Sequence, residues 1–97
     1  MNKISKIPKF IHKFFWDIDP DSLNLDKDYF IIIERLLNYA DDKSLKWLLD
    51  FYDNQKIKEV IKNSRRLTPK TANFWQKHFK LRKEEIKCMN IFYQKTE

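Results

Sequence analysis

The sequence predicts an all-α fold. Residues 1–97 read as a single domain, one compact bundle of about five short helices, with a helix-turn-helix-like unit over 54–80 in its C-terminal half. Three observations lead there. Apolar residues recur at a spacing near 3.6 in each long segment, which lines one face of a helix. Glycine is absent from the chain, so the hairpins of a β-rich fold and the phosphate-cradling loops of P-loop or Rossmann proteins lack the residue they depend on. Thr68 followed by Pro69 is a hydroxyl N-cap and then a proline at the first helical position, a strong start signal. A chain of 97 residues buries one core but not two.

The elements follow in order. Pro8 fits the first turn of a short helix from about Lys9 to Trp16, where Phe10, Ile11, Phe14 and Phe15 recur at helical spacing. "DIDPDSLNLDKD" breaks that pattern and reads as a connection, with Leu23 and Leu25 returning to the core. From Lys27 to Ala40, the residues Tyr29, Phe30, Ile32, Ile33, Leu36, Leu37 and Ala40 cover more than half of a helical wheel, with Glu34, Arg35 and Asn38 opposite. This is the expected central helix. Asp41 or Asp42 caps the next helix, which reaches Tyr52 with Leu45, Leu48 and Leu49 in its stripe and Trp47 and Phe51 beside it. Gln55 to Asn63 is shorter and narrower, with Ile57, Val60 and Ile61 inward. "SRRL" interrupts before the Thr68–Phe79 helix. A last helix is expected from about Lys83, facing inward through Ile86, Met89, Phe92 and Tyr93.

Charge divides the chain more sharply than its net +6 implies. Residues 1–16 carry four lysines and no acid, residues 17–53 ten acids against four bases, and residues 54–97 twelve bases against four acids. That asymmetry points to an acidic surface and a basic one. On the wheel of the Thr68–Phe79 helix, Ala72, Trp75 and Phe79 turn inward, while Lys70, Asn73, Gln76, Lys77 and Lys80 fill an outer arc without an acid. In a helix-turn-helix the second helix enters the major groove. Asn and Gln there pair with adenine, and Lys and Arg with guanine or phosphate. The candidate nucleic-acid residues are therefore Arg65 and Arg66 in the turn with Lys70, Asn73, Lys77 and Lys80, and the expected ligand is double-stranded operator DNA. Solubility alone also gives a lysine-rich helix a basic face, so a protein-interaction module that binds no nucleic acid stands beside this reading. An RNA- or single-strand-binding protein stacking bases on Phe74, Trp75 and Tyr93 is a further alternative.

A second candidate site is Phe15, Trp16 and Asp17, where an aromatic cluster meets the start of the acidic segment. Tryptophan is enriched at interface hot spots, although a Trp closing an aromatic helix also serves as a core lid. Asp41 and Asp42 join these three as partner-binding candidates. Other constellations fail. His12 and His78 lack companions at zinc-like spacing, so neither a metal nor a cofactor is expected. The acids occupy caps and connections, where Asp has a structural role, and no pair forms a general acid and base. The chain does not read as an enzyme. Its one cysteine, Cys88, and its lack of a long apolar segment favour a cytoplasmic protein without a membrane partner. A homo-oligomer is compatible with all of this.

The stretches "FFWDID", "IIERLLNYADDKSLKWLLDFY", "IKEVIKNSRRLTPKTANFWQKHF" and "EEIKC" together resemble a family of small, largely uncharacterised bacterial proteins, over roughly residues 7–89. Members of that family are often encoded beside a nucleotidyltransferase-like toxin of the AbiE type. The resemblance implies an antitoxin that binds the toxin and represses their operon. It brings no catalytic residues with it. The acidic Asp17–Asp53 segment would complement the basic cleft that a nucleotidyltransferase needs for its phosphate-bearing substrates.

Overall fold

A computed structural model describes residues 6–86 and bears out the all-α class. Four α-helices follow one another: α1 (Tyr29–Tyr39), α2 (Asp42–Phe51), α3 (Asn54–Asn63) and α4 (Pro69–His78). Short 3₁₀ helices occupy Lys9–Phe14, Pro20–Ser22 and Lys83–Glu85. The described residues contain no strand, only an isolated antiparallel bridge between Lys6 and Asn24.

Side-chain caps explain where the helices begin. Asp41 Oδ1 accepts the Ser44 N–H at 2.9 Å and Asp53 Oδ1 accepts the Lys56 N–H at 2.9 Å. Thr68 Oγ1 accepts the Thr71 N–H at 3.1 Å, with Pro69 at the first helical position. Each cap satisfies a donor that the first helical turn leaves without a partner. Helix α1 starts differently. Asn24 Oδ1 accepts the N–H groups of Asp26 and Lys27, and Asp28 Oδ2 reaches back to the Asn24 N–H at 2.8 Å. This self-closed turn holds Lys27 and Asp28 out of the helix, so α1 begins two residues later than expected.

The end of α4 is closed by a Schellman motif. The Leu81 N–H donates to the Gln76 carbonyl at 2.9 Å and the Lys80 N–H to the Lys77 carbonyl at 3.2 Å. This reversal requires a left-handed residue, and Lys80 takes it with φ 56°.

The first helix departs from expectation. It is 3₁₀ and stops at Phe14, with the Ile11 N–H bonded to the Pro8 carbonyl and the Phe15 N–H to the His12 carbonyl. Its tighter winding accompanies the inward turn of Ile11, Phe14 and Phe15 and leaves Trp16 outside. At the other end, a single 3₁₀ turn leads to the buried Ile86. Cys88, Met89, Phe92 and Tyr93 lie outside the described residues.

Helix α1 is central, packing on α2, α3 and the Lys9–Phe14 helix, while α3 packs on α4. Ile32, Ile33, Leu36 and Leu37 from α1 meet Leu48, Ile57, Val60, Ile61 and Trp75, with Leu23 and Leu25 closing the core from the connection. Tyr52 is buried with them, and its hydroxyl donates to the Leu25 carbonyl at 2.8 Å. Burial pushes the Tyr52 pKa up, so the hydroxyl stays a donor. The α2 stripe is wide: Trp47 stacks on Phe51 at 5.1 Å and meets the edge of Phe10 at 6.3 Å.

Candidate nucleic-acid interface and the adjoining aromatic cleft

The polar side of α1 does not face open water, as its wheel implied. It holds the five-residue turn between α3 and α4. The buried Ser64 hydroxyl donates to Glu34 Oε2 at 2.5 Å and accepts the Arg66 N–H at 3.1 Å. Asn38 donates to the Arg66 carbonyl at 3.0 Å and accepts the Thr68 N–H at 3.2 Å. A turn without glycine or internal ladder still has backbone groups to satisfy, and here α1 satisfies them. Glu34 is 8% exposed as a result.

On this support stands the basic face. From Val60 to Lys83 the chain has eight Lys and Arg residues and no acid. Arg65, Arg66, Lys70, Lys77 and Lys80 are all exposed, and Asn73 is half-buried. The ion pairs among the described residues, Lys13 with Asp41 at 3.5 Å and Arg35 with Asp17 at 2.8 Å, involve none of them. Two other expectations for α4 change. Gln76 is half-buried, because its Nε2 donates to the Leu81 carbonyl at 2.6 Å in the closing motif. Trp75 is 4% exposed and stacks on Phe79, which removes it as a base-stacking platform, whereas Phe74 is 59% exposed beside His78.

The partner-binding candidates do not form one surface. Phe15 is 1% exposed and belongs to the core, so it cannot anchor a partner. Asp41 caps α2 and pairs with Lys13. The Ser44 N–H, bonded to its carboxylate, is the main cause that lowers its pKa. Asp42 is exposed at the first helical position of α2, where a carboxylate also favours the helix dipole. Trp16 is 65% exposed and is not a core lid.

Trp16 instead builds a cleft in which two sequence candidates, Asp17 and Arg66, meet the polar side of α1 and Tyr39. Its ring meets Tyr39 edge to face at 5.2 Å and 76°. The Arg35 guanidinium lies 4.8 Å from the indole centroid and donates to Asp17 Oδ1 at 2.8 Å, Asp17 Oδ2 at 3.4 Å and the Phe14 carbonyl at 3.2 Å. That Arg35 hydrogen bond, with a smaller contribution from the Arg66 charge, holds the Asp17 carboxyl below the usual aspartate range. Together Trp16, Asp17, Glu34, Arg35, Asn38, Tyr39 and Arg66 enclose about 190 Å³. The structure thus brings Arg66, from the basic set, into one cleft with Trp16 and Asp17, from the partner set. The missed signal was Tyr39, an aromatic on the polar flank of α1.

A second groove of about 360 Å³, lined in part by Leu37, Leu45, Lys70 and Phe74, shares Asn38 with the first. Among the described residues, no three His, Cys, Asp or Glu side chains gather into a metal site, and no helix is long and apolar enough to cross a membrane.

A model of a protein family described as a family of unknown function (DUF6922) matches residues 10–61, just over half of the chain. The chain belongs to this family. The DUF6922 match takes in the Lys9–Phe14 helix from its second residue, α1, α2 and most of α3, and ends before the turn and α4. Six of the seven residues lining the aromatic cleft fall inside it, and Arg66 falls outside. No curated protein and no solved structure matches the chain.

Proposed function

We propose that this protein is a small DNA-binding regulator of the antitoxin kind, a binding protein and not an enzyme. In this reading it grips duplex DNA through α4 and the turn before it. One observation carries the nucleic-acid part: the acid-free run from Val60 to Lys83 is folded so that Arg65, Arg66, Lys70, Lys77 and Lys80 reach solvent without ion pairs among the described residues. Cations presented in this way bind phosphates by displacing condensed counterions. Asn38 holds the turn backbone and Glu34 holds the Ser64 hydroxyl, so the turn's arginines are presented from a fixed frame. The antitoxin part rests on the family resemblance drawn from the sequence, which makes a nucleotidyltransferase-like toxin the partner to test first.

The test is fluorescence anisotropy on DNA from upstream of the gene. Affinity is expected to fall steeply with salt, and Lys77→Ala to shallow the slope by about one unit without changing sequence preference. Asn73→Ala relaxes preference at one base if that side chain reads an edge. Absence of binding at ~50 mM salt, a permissive condition, overturns the reading. Phe74 favours one other reading, since it lies exposed on the same helix between Lys70 and Lys77. An exposed Phe suits a protein contact, and in that case Phe74→Ala weakens toxin binding and leaves DNA binding alone.

A further inference from the structure

We infer that the Trp16–Tyr39 cleft receives the base of an unpaired nucleotide, whose phosphate is bound by Arg66. This deepens the nucleic-acid reading and rests on it for Arg66, but adds a ligand that duplex binding does not require. The argument begins with what the cleft has left to offer. Asn38 is committed to the turn backbone, Glu34 to Ser64, and Arg35 to Asp17 and Phe14. Arg35 also lies 4.8 Å from the Trp16 centroid, so what remains is the Trp16 ring surface away from that guanidinium, the Tyr39 ring, the Arg66 guanidinium and the Asp17 lone pairs that Arg35 does not occupy. Tyr39 is itself 53% exposed.

These groups match one kind of molecule. Trp16 and Tyr39 meet edge to face, so a planar ring laid against one meets the other at its edge, an arrangement aromatic groups favour. A cavity of about 150 Å³ holds a benzene ring, and the roughly 190 Å³ here suits a single base. The Asp17 oxygens can accept the exocyclic amino group of cytosine or adenine, as carboxylates do from cytosine in grooves. Arg35 neutralises that carboxylate, so a phosphate nearby is not repelled by a bare charge. Arg66 is the cation of the acid-free turn that lines the cleft, which joins this pocket to the surface proposed for the duplex.

The experiment uses the full chain and three ligands: a blunt duplex, the same duplex with a short single-stranded adenine overhang, and the overhang strand alone. Base stacking on an aromatic side chain is worth about 5- to 150-fold per base. The overhang is therefore expected to tighten binding about tenfold and to quench tryptophan emission, because Trp16 is the most exposed tryptophan among the described residues while Trp75 is buried. Trp16→Ala should abolish both effects and leave blunt-duplex affinity within about twofold. Asp17→Ala, which removes the acceptor, should reduce the preference for adenine or cytosine over thymine overhangs. Since Trp16 is exposed, an unchanged melting curve verifies that the variant is folded.

An overhang that adds nothing overturns the inference, and so does a gain that survives Trp16→Ala. Loss of toxin binding in Trp16→Ala without any overhang effect assigns the cleft to a protein partner, which also overturns it. Trp16-dependent binding of the single strand without blunt-duplex binding supports the cleft and refutes the duplex reading.

Discussion

Replacing Glu34 by alanine removes the acceptor of the buried Ser64 hydroxyl, which in turn supports the Arg66 N–H. Hydrogen bonds to charged groups contribute about 1.5–3 kcal/mol, and an orphaned buried hydroxyl costs a similar amount. Glu34→Ala is therefore expected to lower stability by about 2 kcal/mol. Ser64→Ala removes the same bond from the other side and also strips the Arg66 N–H of its acceptor, so its cost is about 2 kcal/mol as well. The double variant should lose only about 2–3 kcal/mol, since the second substitution removes a partner already without its bond. For a domain of this size 1 kcal/mol corresponds to about 4–8 °C in melting temperature. Each single variant thus falls by roughly 8–16 °C on that scale, followed by circular dichroism and urea denaturation. Additivity within about 0.5 kcal/mol would show that the two residues are not coupled, and the account of the turn would fail. Under the proposed DNA-binding function, both single variants should also bind DNA more weakly well below their melting points, because the turn arginines lose their fixed frame.

Three further outcomes are expected. Trp75→Ala should cost about 3–5 kcal/mol by urea denaturation, the scale for truncating a buried aromatic, and a loss under about 1 kcal/mol would contradict its burial in the core. The Asp17 carboxyl should titrate by NMR below the ordinary aspartate value, because Arg35 stabilises the carboxylate in the folded state. A depressed folded pKa gives stabilisation that is fully present above the unfolded value of about 3.9 and is lost as pH falls through the lower folded value. The stability gap between the wild type and Asp17→Asn should accordingly be constant above about pH 5 and close in stronger acid; a gap that widens in acid refutes the assignment. Asp41→Ala should cost about 0.5–2 kcal/mol through its lost cap, whereas Asp42→Ala, which no side-chain bond among the described residues holds, should stay within about 0.5 kcal/mol.

The fold was legible wherever periodicity and capping chemistry coincide. Thr68-Pro69 and Asp41 announce their helices through local bonds, and Ile57, Val60 and Ile61 are spaced as a buried stripe must be; the Asp53 cap, one residue before α3, was missed. The cleft was not legible for the same physical reason. It is assembled from Trp16, Tyr39 and Arg66, which lie far apart in the chain and are joined only by the packing of the first 3₁₀ helix and the turn on α1. A wheel reports which side of a helix is polar but not what lies opposite it. Glu34, Arg35 and Asn38 therefore looked like a solvated face and are a seam. Phe15 and Trp16 are adjacent in sequence and opposite in exposure, because the 3₁₀ helix ends at Phe14 and Phe15 leaves helical geometry with φ −121° and ψ 52°.

Lys80 carries the left-handed reversal after α4 in a chain that has no glycine to place there. A residue with a β-carbon accepts that conformation at about 1–2 kcal/mol, so Lys80→Gly should make the protein more stable, not less. The same change deletes one of the exposed cations on the basic face. Variants selected for heat resistance should acquire glycine at this position early, and under the proposed DNA-binding function variants selected for retention on DNA should reject it. Position 80 is where the two pressures separate.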